Sequence, residues 1–408
     1  MKFVRHAVCI DCGQTVAARP EITTCPACGG LLDIIYDYEA IKRSLSRRVL
    51  AARPEPTMWR YAELLPVETE TAVRMAAEGL RVGNSPLYPA PNLAAETGIR
   101  TLYIKDDGQN PTASLKDRAS AMAVAKALEA GRNVIACSST GNAASSLAGN
   151  CARAGMETYI FVPERAPKGK VAQLLIFGAH VFSVQGDYGA TFRLSAAAIK
   201  KYGWYNRNAA INPYLLEGKK TAALEIAEQL DWQVPDYLAL SVGDGCTIAG
   251  VWKGFCDLYH AGLIDRLPRL LSVQAAGCCP IHNALRSGGP LQPMAENTLA
   301  DSIAVGMPRN PKKALRAIRE SNGVAVEVSD DEILAAMRLL GKSCGVFAEP
   351  AAATALAGLV RARKENRIPA ACSVVCLISG NGLKDVANGI RAAGEPRLVA
   401  PSPEEFTL

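Results

Sequence analysis

The chain's 408 residues suffice for two or three domains with large cores, and a composition of 49 % hydrophobic and 21 % charged residues excludes a disordered polypeptide. The formal charge of +6 is spread along the sequence without a long like-charged run, which argues against a nucleic-acid-binding tail and is compatible with an enzyme for small anionic molecules. The opening MKFVRHAVCIDC lacks the apolar stretch of a signal peptide, and no apolar run approaches the length of a membrane span, so a cytoplasmic protein without membrane association is expected.

Residues 1–40 read as a separate module. CIDCGQTVAARPEITTCPACGG holds two C-x-x-C knuckles, each followed by glycine, with 12 residues between Cys12 and Cys25. Two such turns can present Cys9, Cys12, Cys25 and Cys28 to one tetrahedral zinc ion, and a module this short has too little core to fold without a staple. Such ribbons bind nucleic acid, bind proteins, or only cap a fold, and the spacing does not choose among these. The other cysteines of the 13 are scattered, and an odd total without framework spacing argues for reduced thiols.

From about residue 97 onward, short β-rich runs alternate with alanine-rich helical patterns. In chain order the predicted strands are TLYIKD, NVIACSS, ETYIFVP, HVFSVQ, YLALSVG, RLLSVQA, VAVEVS and SVVCLIS. The predicted helices include ASAMAVAKALEA, ATFRLSAAAIKKY, GKKTAALEIAEQL, SDDEILAAMRLLGK and AAATALAGLVRARK. Alternation at this spacing implies βα units on mostly parallel sheets, whose ligands sit in loops beyond the carboxyl ends of the strands.

Four polar loops fall there. NPTASLKDRAS places Lys116 near a helix N-terminus, whose partial positive charge disfavours a neighbouring ammonium and favours the neutral amine that Schiff-base chemistry requires. CSSTGNAAS breaks a strand into hydroxyls and backbone N–H groups at a helix start, an anion cradle able to hold a carboxylate. In SVGDGCT, Gly243 and Gly245 let the backbone approach a phosphate closely. LISGNGLKD ends a buried strand at Ser379. Taken singly, each loop also reads as an ordinary cap or turn.

In the order NPTASLKDR, SSTGNAAS, NPYLLEGKKTAALEI, EPAAATALAGL and LISGNGLKD, these segments resemble the pyridoxal-phosphate enzymes of fold type II, most closely the threonine synthase family. CPACGGLLDIIYDY and MWRYAELLP extend the likeness to the zinc-ribbon-bearing members, so that it covers nearly the whole chain. The resemblance implies an α/β architecture of two open, mostly parallel sheets with flanking helices, preceded by the ribbon. It implies a large cofactor-binding domain from 41–120 and 207–395, a nested smaller domain at 121–206, a tail at 396–408, and a homodimer. Lys116 would carry pyridoxal 5'-phosphate as a Schiff base and act as the catalytic base. Asn142 would hydrogen-bond the cofactor's phenolic oxygen, Gly243, Asp244, Gly245, Cys246 and Thr247 would hold its phosphate, and Ser379 would face its ring nitrogen. Ser139, Thr140 and Ala143 would cradle the carboxylate of a small anionic amino acid.

The implied reaction converts O-phosphohomoserine and water to L-threonine and phosphate. The sequence departs from the family pattern at Arg81 and Val82, where an acidic residue usually precedes a glycine, at Ala113 and Leu115, where glycine and phenylalanine are usual, and at Asp244 and Cys246 in the phosphate loop. These departures touch the pocket and spare the lysine. They leave open a related β-replacement synthase acting on O-phosphoserine or another activated amino acid, like cysteate or diaminopropionate synthases. A reading of a different class, a ribbon-bearing nucleic-acid-binding or regulatory protein on a retired enzyme scaffold, leaves the coincidence of lysine, asparagine and serine unexplained.

Overall fold

In the computed structural model, residues 1–401 are described except 140, 167, 187, 209, 210 and 400. The strands are β1 (Val4–Cys9), β2 (Thr15–Val16), β3 (Leu32–Tyr36), β4 (Leu87–Pro89), β5 (Thr101–Asp106), β6 (Val134–Ser138), β7 (Glu157–Pro163), β8 (His180–Val184), β9 (Tyr205–Asn206), β10 (Tyr237–Ser241), β11 (Arg269–Ala275), β12 (Val324–Val328) and β13 (Ser373–Ile378). They form three sheets. An antiparallel ribbon has the order β2-β1-β3, a six-stranded sheet the order β12-β11-β10-β13-β5-β4, and a four-stranded sheet the order β8-β7-β6-β9. All pairings in the two larger sheets are parallel except β4 with β5.

The apolar pattern of each strand matches its place. β10, at the heart of the six-stranded sheet, is buried at every position, and its neighbour β13 at all but the first. Helices cover both faces, so these strands read as continuous apolar runs. β3 alternates buried and half-buried residues, as a strand with one solvated face does. Every strand predicted from residue 97 onward is present, and the ribbon strands, β4 and the two-residue β9 are additions.

Two helical expectations are corrected. GKKTAALEIAEQL is not one helix but parts of two, Pro213–Lys219 and Thr221–Gln229, joined at Lys220, whose φ of −61° and ψ of −21° tighten the turn without leaving the right-handed region. The helix predicted from Ala119 begins earlier, at Lys116, and runs to Glu129. Among the described residues, no helix is long and apolar enough to cross a membrane.

The ribbon is docked on the body. Asp33 of β3 pairs with Lys313 and Arg316, each at 2.6 Å, on the helix Pro311–Glu320, and the Lys313 ammonium also donates to the Leu32 carbonyl at 2.6 Å. Burial pushes the Asp33 carboxyl up, but the two cations outweigh it and hold it at about 2. Tyr36 donates to Glu217 at 2.5 Å inside a buried cluster in which Lys220 reaches Asp257 at 2.6 Å.

Candidate active site

Lys116 is the first residue of its helix, and the loop before it is held from two sides. The Thr112 N–H and hydroxyl both donate to the Asp117 carboxylate at 2.8 Å, and Asn150 donates to the same carboxylate at 3.0 Å. The Leu115 N–H donates to the Ser379 carbonyl at 2.9 Å, and the Asn381 N–H to the Ala113 carbonyl at 3.1 Å. The loops NPTASLKD and SGNG are thereby locked together at the carboxyl ends of β5 and β13. Ala113, where the family usually has glycine, sits at φ +66°, in the left-handed region that glycine enters without steric cost. The departure from the family pattern therefore carries backbone strain.

The Lys116 amine is held down to about 8. Burial is the main cause and the Lys219 ammonium the next, with Arg207 adding to it and the Glu349 carboxylate opposing. The sequence pointed to the helix N-terminus as the reason; the fold supplies burial and two further cations.

Lys116 opens onto a cleft of about 600 Å³, its mouth included, which it shares with Ser379, Glu349, Lys219 and the loop Gly243 to Thr247. The loop follows β10 and leads into the helix Cys246–His260. Gly245 has φ +85°, and a Cβ there would lie 2.7 Å from the Asn310 carbonyl oxygen; at Gly243 it would lie 2.9 Å from Ile303 Cα. Both glycines are dictated by this close packing, which leaves the loop backbone lining the cleft. The Asp244 carboxylate accepts the Arg309 N–H at 3.0 Å, and its carbonyl accepts the Asn310 N–H at 3.0 Å. Its carboxylate is thus engaged by backbone of the distant segment that leads into the helix Pro311–Glu320. Cys246 is buried, and burial pushes its thiol up, so it is neutral at pH 7.

Two residues escaped the sequence reading. Lys219 is 4 % exposed, lines the cleft, and forms no ion pair or side-chain hydrogen bond among the described residues. Burial pushes its ammonium down. A buried cation without a protein partner, beside a glycine loop, fits a phosphate. Glu349, at the N-cap of the helix Pro350–Lys364, is buried with its carboxyl pushed up by that burial. It accepts from Asn142 Nδ2 at 2.7 Å. The signals available were the second lysine of GKK and the acid opening EPAAATALAGL, but neither states what it faces.

Asn142 starts the helix Asn142–Ala154 beyond β6 and reaches the cleft only through Glu349. Ser139 accepts the Gly141 N–H at 3.2 Å, and Ser139 and Ala143 lie half-buried at this helix start without lining the Lys116 cleft itself. Thr140 lies outside the described residues. Ser379 lines the cleft, and its hydroxyl makes no hydrogen bond among the described residues. Val82 is fully buried, with its carbonyl taken by the Met58 N–H at 2.9 Å.

At the other end of the chain, the four ribbon cysteines present their sulfurs within 4.8 Å of one another. Neighbouring sulfurs are 3.4 to 3.7 Å apart, the edge length expected for thiolates around one tetrahedral zinc with bonds of about 2.3 Å. Backbone N–H groups, that of Cys12 first, bring the Cys9 thiol down to about 7, toward the thiolate a metal needs. The four side chains fit a structural zinc.

The family model for pyridoxal-phosphate dependent enzymes matches residues 79–380. The chain is 42 % identical to the threonine synthase of Methanosarcina acetivorans, over 97 % of this chain and 96 % of that one. It is also 42 % identical to the threonine synthase of Methanocaldococcus jannaschii, over 95 % of each. Among solved structures, the fold is similar to that of diaminopropionate ammonia lyase from Escherichia coli, with a TM-score of 0.68 and 18 % identity over 84 % of this chain and 93 % of that one. The processed threonine deaminase isoform 2 of Solanum lycopersicum gives 0.65 and 21 % identity over 79 % and 92 %. With that identity running nearly end to end, the family model covering most of the chain and four cysteines gathered in the ribbon, the chain belongs to the threonine synthase family of pyridoxal-phosphate-dependent enzymes.

Proposed function

We propose that the protein converts O-phosphohomoserine and water to L-threonine and inorganic phosphate. The observation that carries this reading is the pairing of a Lys116 amine held down to about 8 with a buried Lys219, unpaired among the described residues, across one cleft, in a chain so similar to threonine synthases. Pyridoxal phosphate, when bound, supplies an electron sink for the substrate's Cα. Lys219 and the backbone of Gly243 to Thr247 would hold the cofactor's phosphate. Asn142 has a second Nδ2 hydrogen for the phenolic oxygen, because Glu349 takes only one and fixes the amide's orientation. The Ser379 hydroxyl, which lines the cleft, would donate to the ring nitrogen as a neutral group and so favour elimination and replacement over transamination.

Ser139, Thr140 and Ala143 cradle the substrate carboxylate at the start of the helix Asn142–Ala154. The Lys116 amine would then take the proton from Cα and one from Cβ as phosphate leaves from Cγ; a proton delivered to Cγ makes the methyl group, water adds its hydroxyl at Cβ and gives up its other proton, and Lys116 restores the proton at Cα. The chain divides into the ribbon at 1–40, a large domain from 41–120 and 207–395, a nested domain at 121–206 and a tail at 396–408. This division is supported by the four-stranded sheet lying within Val134–Asn206 and the six-stranded one on either side of it in sequence. A cytoplasmic homodimer is the state in which we expect it to work.

The test is turnover. Purified protein given O-phosphohomoserine should release phosphate and form threonine in equal amounts, and Lys116→Ala should do neither. Turnover of O-phosphoserine in place of O-phosphohomoserine would replace this reading with a β-replacement synthase.

A further inference from the structure

The metal end of the ribbon and the body of the protein meet at one short strand. Cys9, the last residue of β1, pairs across the sheet with Leu32, the first of β3. The Leu32 carbonyl and the Asp33 carboxylate, each at 2.6 Å, are the acceptors of the Lys313 ammonium among the described residues, and Lys313 is 5 % exposed. Asp33 also takes Arg316 at 2.6 Å, and Asp11, between Cys9 and Cys12 in the first knuckle, pairs with Lys312. All three cations stand on the helix Pro311–Glu320, Lys312 and Lys313 in its first turn.

The residues just before that turn hold the loop Gly243 to Thr247. The Arg309 and Asn310 N–H groups donate to the Asp244 carboxylate and carbonyl, each at 3.0 Å. Gly245 packs against the same turn, where a Cβ would meet the Asn310 carbonyl oxygen at 2.7 Å and the Ala314 methyl at 2.8 Å. From the far end of β3, Tyr36 donates to Glu217 at 2.5 Å, two residues before Lys219 in the helix Pro213–Lys219. The Tyr36 hydroxyl also accepts from Lys220 at 3.0 Å, and Lys220 reaches Asp257 at 2.6 Å on the helix Cys246–His260. Directly or through Lys220, β3 therefore grips the three helices around the loop. In a module with too little core of its own, metal binding is folding free energy, so the metal and the placing of β3 go together. A loop already fixed in its binding shape loses less entropy when an anion arrives.

We propose that the ribbon and its metal position the phosphate loop, with Asp33, Lys313 and Tyr36 as the positioning residues, so that zinc and the cofactor's phosphate favour each other's binding. This rests on the reading above that Gly243 to Thr247 hold that phosphate. Among the described residues, no hydrogen bond or ion pair joins residues 1–40 to the segment 110–116, so the coupling acts on the phosphate and not on capture of the aldehyde by Lys116. It is reciprocal: the factor that zinc adds to the affinity for pyridoxal phosphate is the factor that the cofactor adds to the affinity for zinc.

The test titrates the full-length chain, freed of cofactor, with pyridoxal phosphate and with pyridoxal, which lacks the phosphate. Both are followed by visible absorbance, with zinc bound and after its removal by a chelator. Removal should weaken pyridoxal phosphate at least tenfold and pyridoxal less than twofold, and saturating pyridoxal phosphate should tighten zinc by the same factor as zinc tightens it. Equal weakening of the two aldehydes would make the ribbon a general stabiliser, and unchanged affinities would disconnect it from the loop; either result overturns the proposal. Should the chelated protein unfold, Asp33→Asn decides. It should keep one zinc per chain, weaken pyridoxal phosphate at least threefold and leave pyridoxal within twofold, with Asp33→Glu recovering part of the loss. An unchanged preference for pyridoxal phosphate over pyridoxal in Asp33→Asn would overturn the proposal. If zinc-loaded wild type binds pyridoxal as tightly as pyridoxal phosphate, the reading of the loop itself fails and the proposal falls with it, a result distinct from a preference that survives zinc removal.

Discussion

Replacing Lys219 by methionine separates two effects of opposite sign. In the apoprotein the ammonium is 4 % exposed and, among the described residues, forms no ion pair, so removing it relieves a desolvation cost. Exchange of buried charge for apolar volume is commonly stabilising by about 1 kcal/mol or more. In the proposed holoprotein the same ammonium would meet the cofactor's phosphate, and losing one charged hydrogen bond costs about 1.5–3 kcal/mol, or about 10- to 150-fold in affinity. Lys219→Met should therefore melt no lower than wild type without cofactor, yet need about 10- to 150-fold more pyridoxal phosphate for half-saturation of the visible absorbance. Lys219→Arg keeps the charge and should bind within a few fold of wild type. A methionine variant that binds the cofactor as wild type does would show that the glycine loop alone holds the phosphate. A variant whose apoprotein melts markedly lower would show that Lys219 has a structural role as well.

The remaining expectations concern protonation, strain and metal. With its pKa at about 8, the Lys116 amine is about one-tenth neutral at pH 7, against about one part in 3000 for an ordinary lysine at 10.5. The rate of cofactor capture by apoprotein should climb about tenfold per pH unit and level off near 8, whereas a climb continuing toward 10 would mean that burial does not depress this amine. The same depressed value penalises the folded apoprotein fully below pH 8, and the penalty fades as the pH rises toward 10.5. Ala113→Gly should stabilise the protein by about 0.5–1 kcal/mol through relief of the φ of +66°, seen as a higher denaturant midpoint; a lower one would mean that the Ala113 methyl earns more from packing than the strain costs. Metal analysis should give one zinc per chain, and Cys25→Ser with Cys28→Ser should lose it, since ligation supplies roughly 10 kcal/mol or more to such a module. Zinc retained in that double variant would place the metal elsewhere.

Local chemistry made much of this protein legible. Strands such as Tyr237–Ser241 and Ser373–Ile378 are apolar throughout because both faces of their sheet are covered, and polar loops bound them, so each announces itself within a few residues. The C-x-x-C knuckles likewise carry their own geometry, which is why four sulfurs meet as expected. The lysine and the glycine loop were found as residue types and spacings. What the tertiary structure alone decided is which charges are paired. Lys219 and Lys220 are neighbours in sequence and both buried, yet Lys220 pairs with Asp257 and Glu217, while Lys219 lines the cleft and, among the described residues, forms no ion pair. A helical step of about 100° separates their directions, and only the packing of distant segments determines what lies along each. For the same reason the hold of Glu349 on Asn142 and that of Asp33 on Lys313 could not be read from the chain: each depends on residues brought together by sheets whose strands are far apart in sequence.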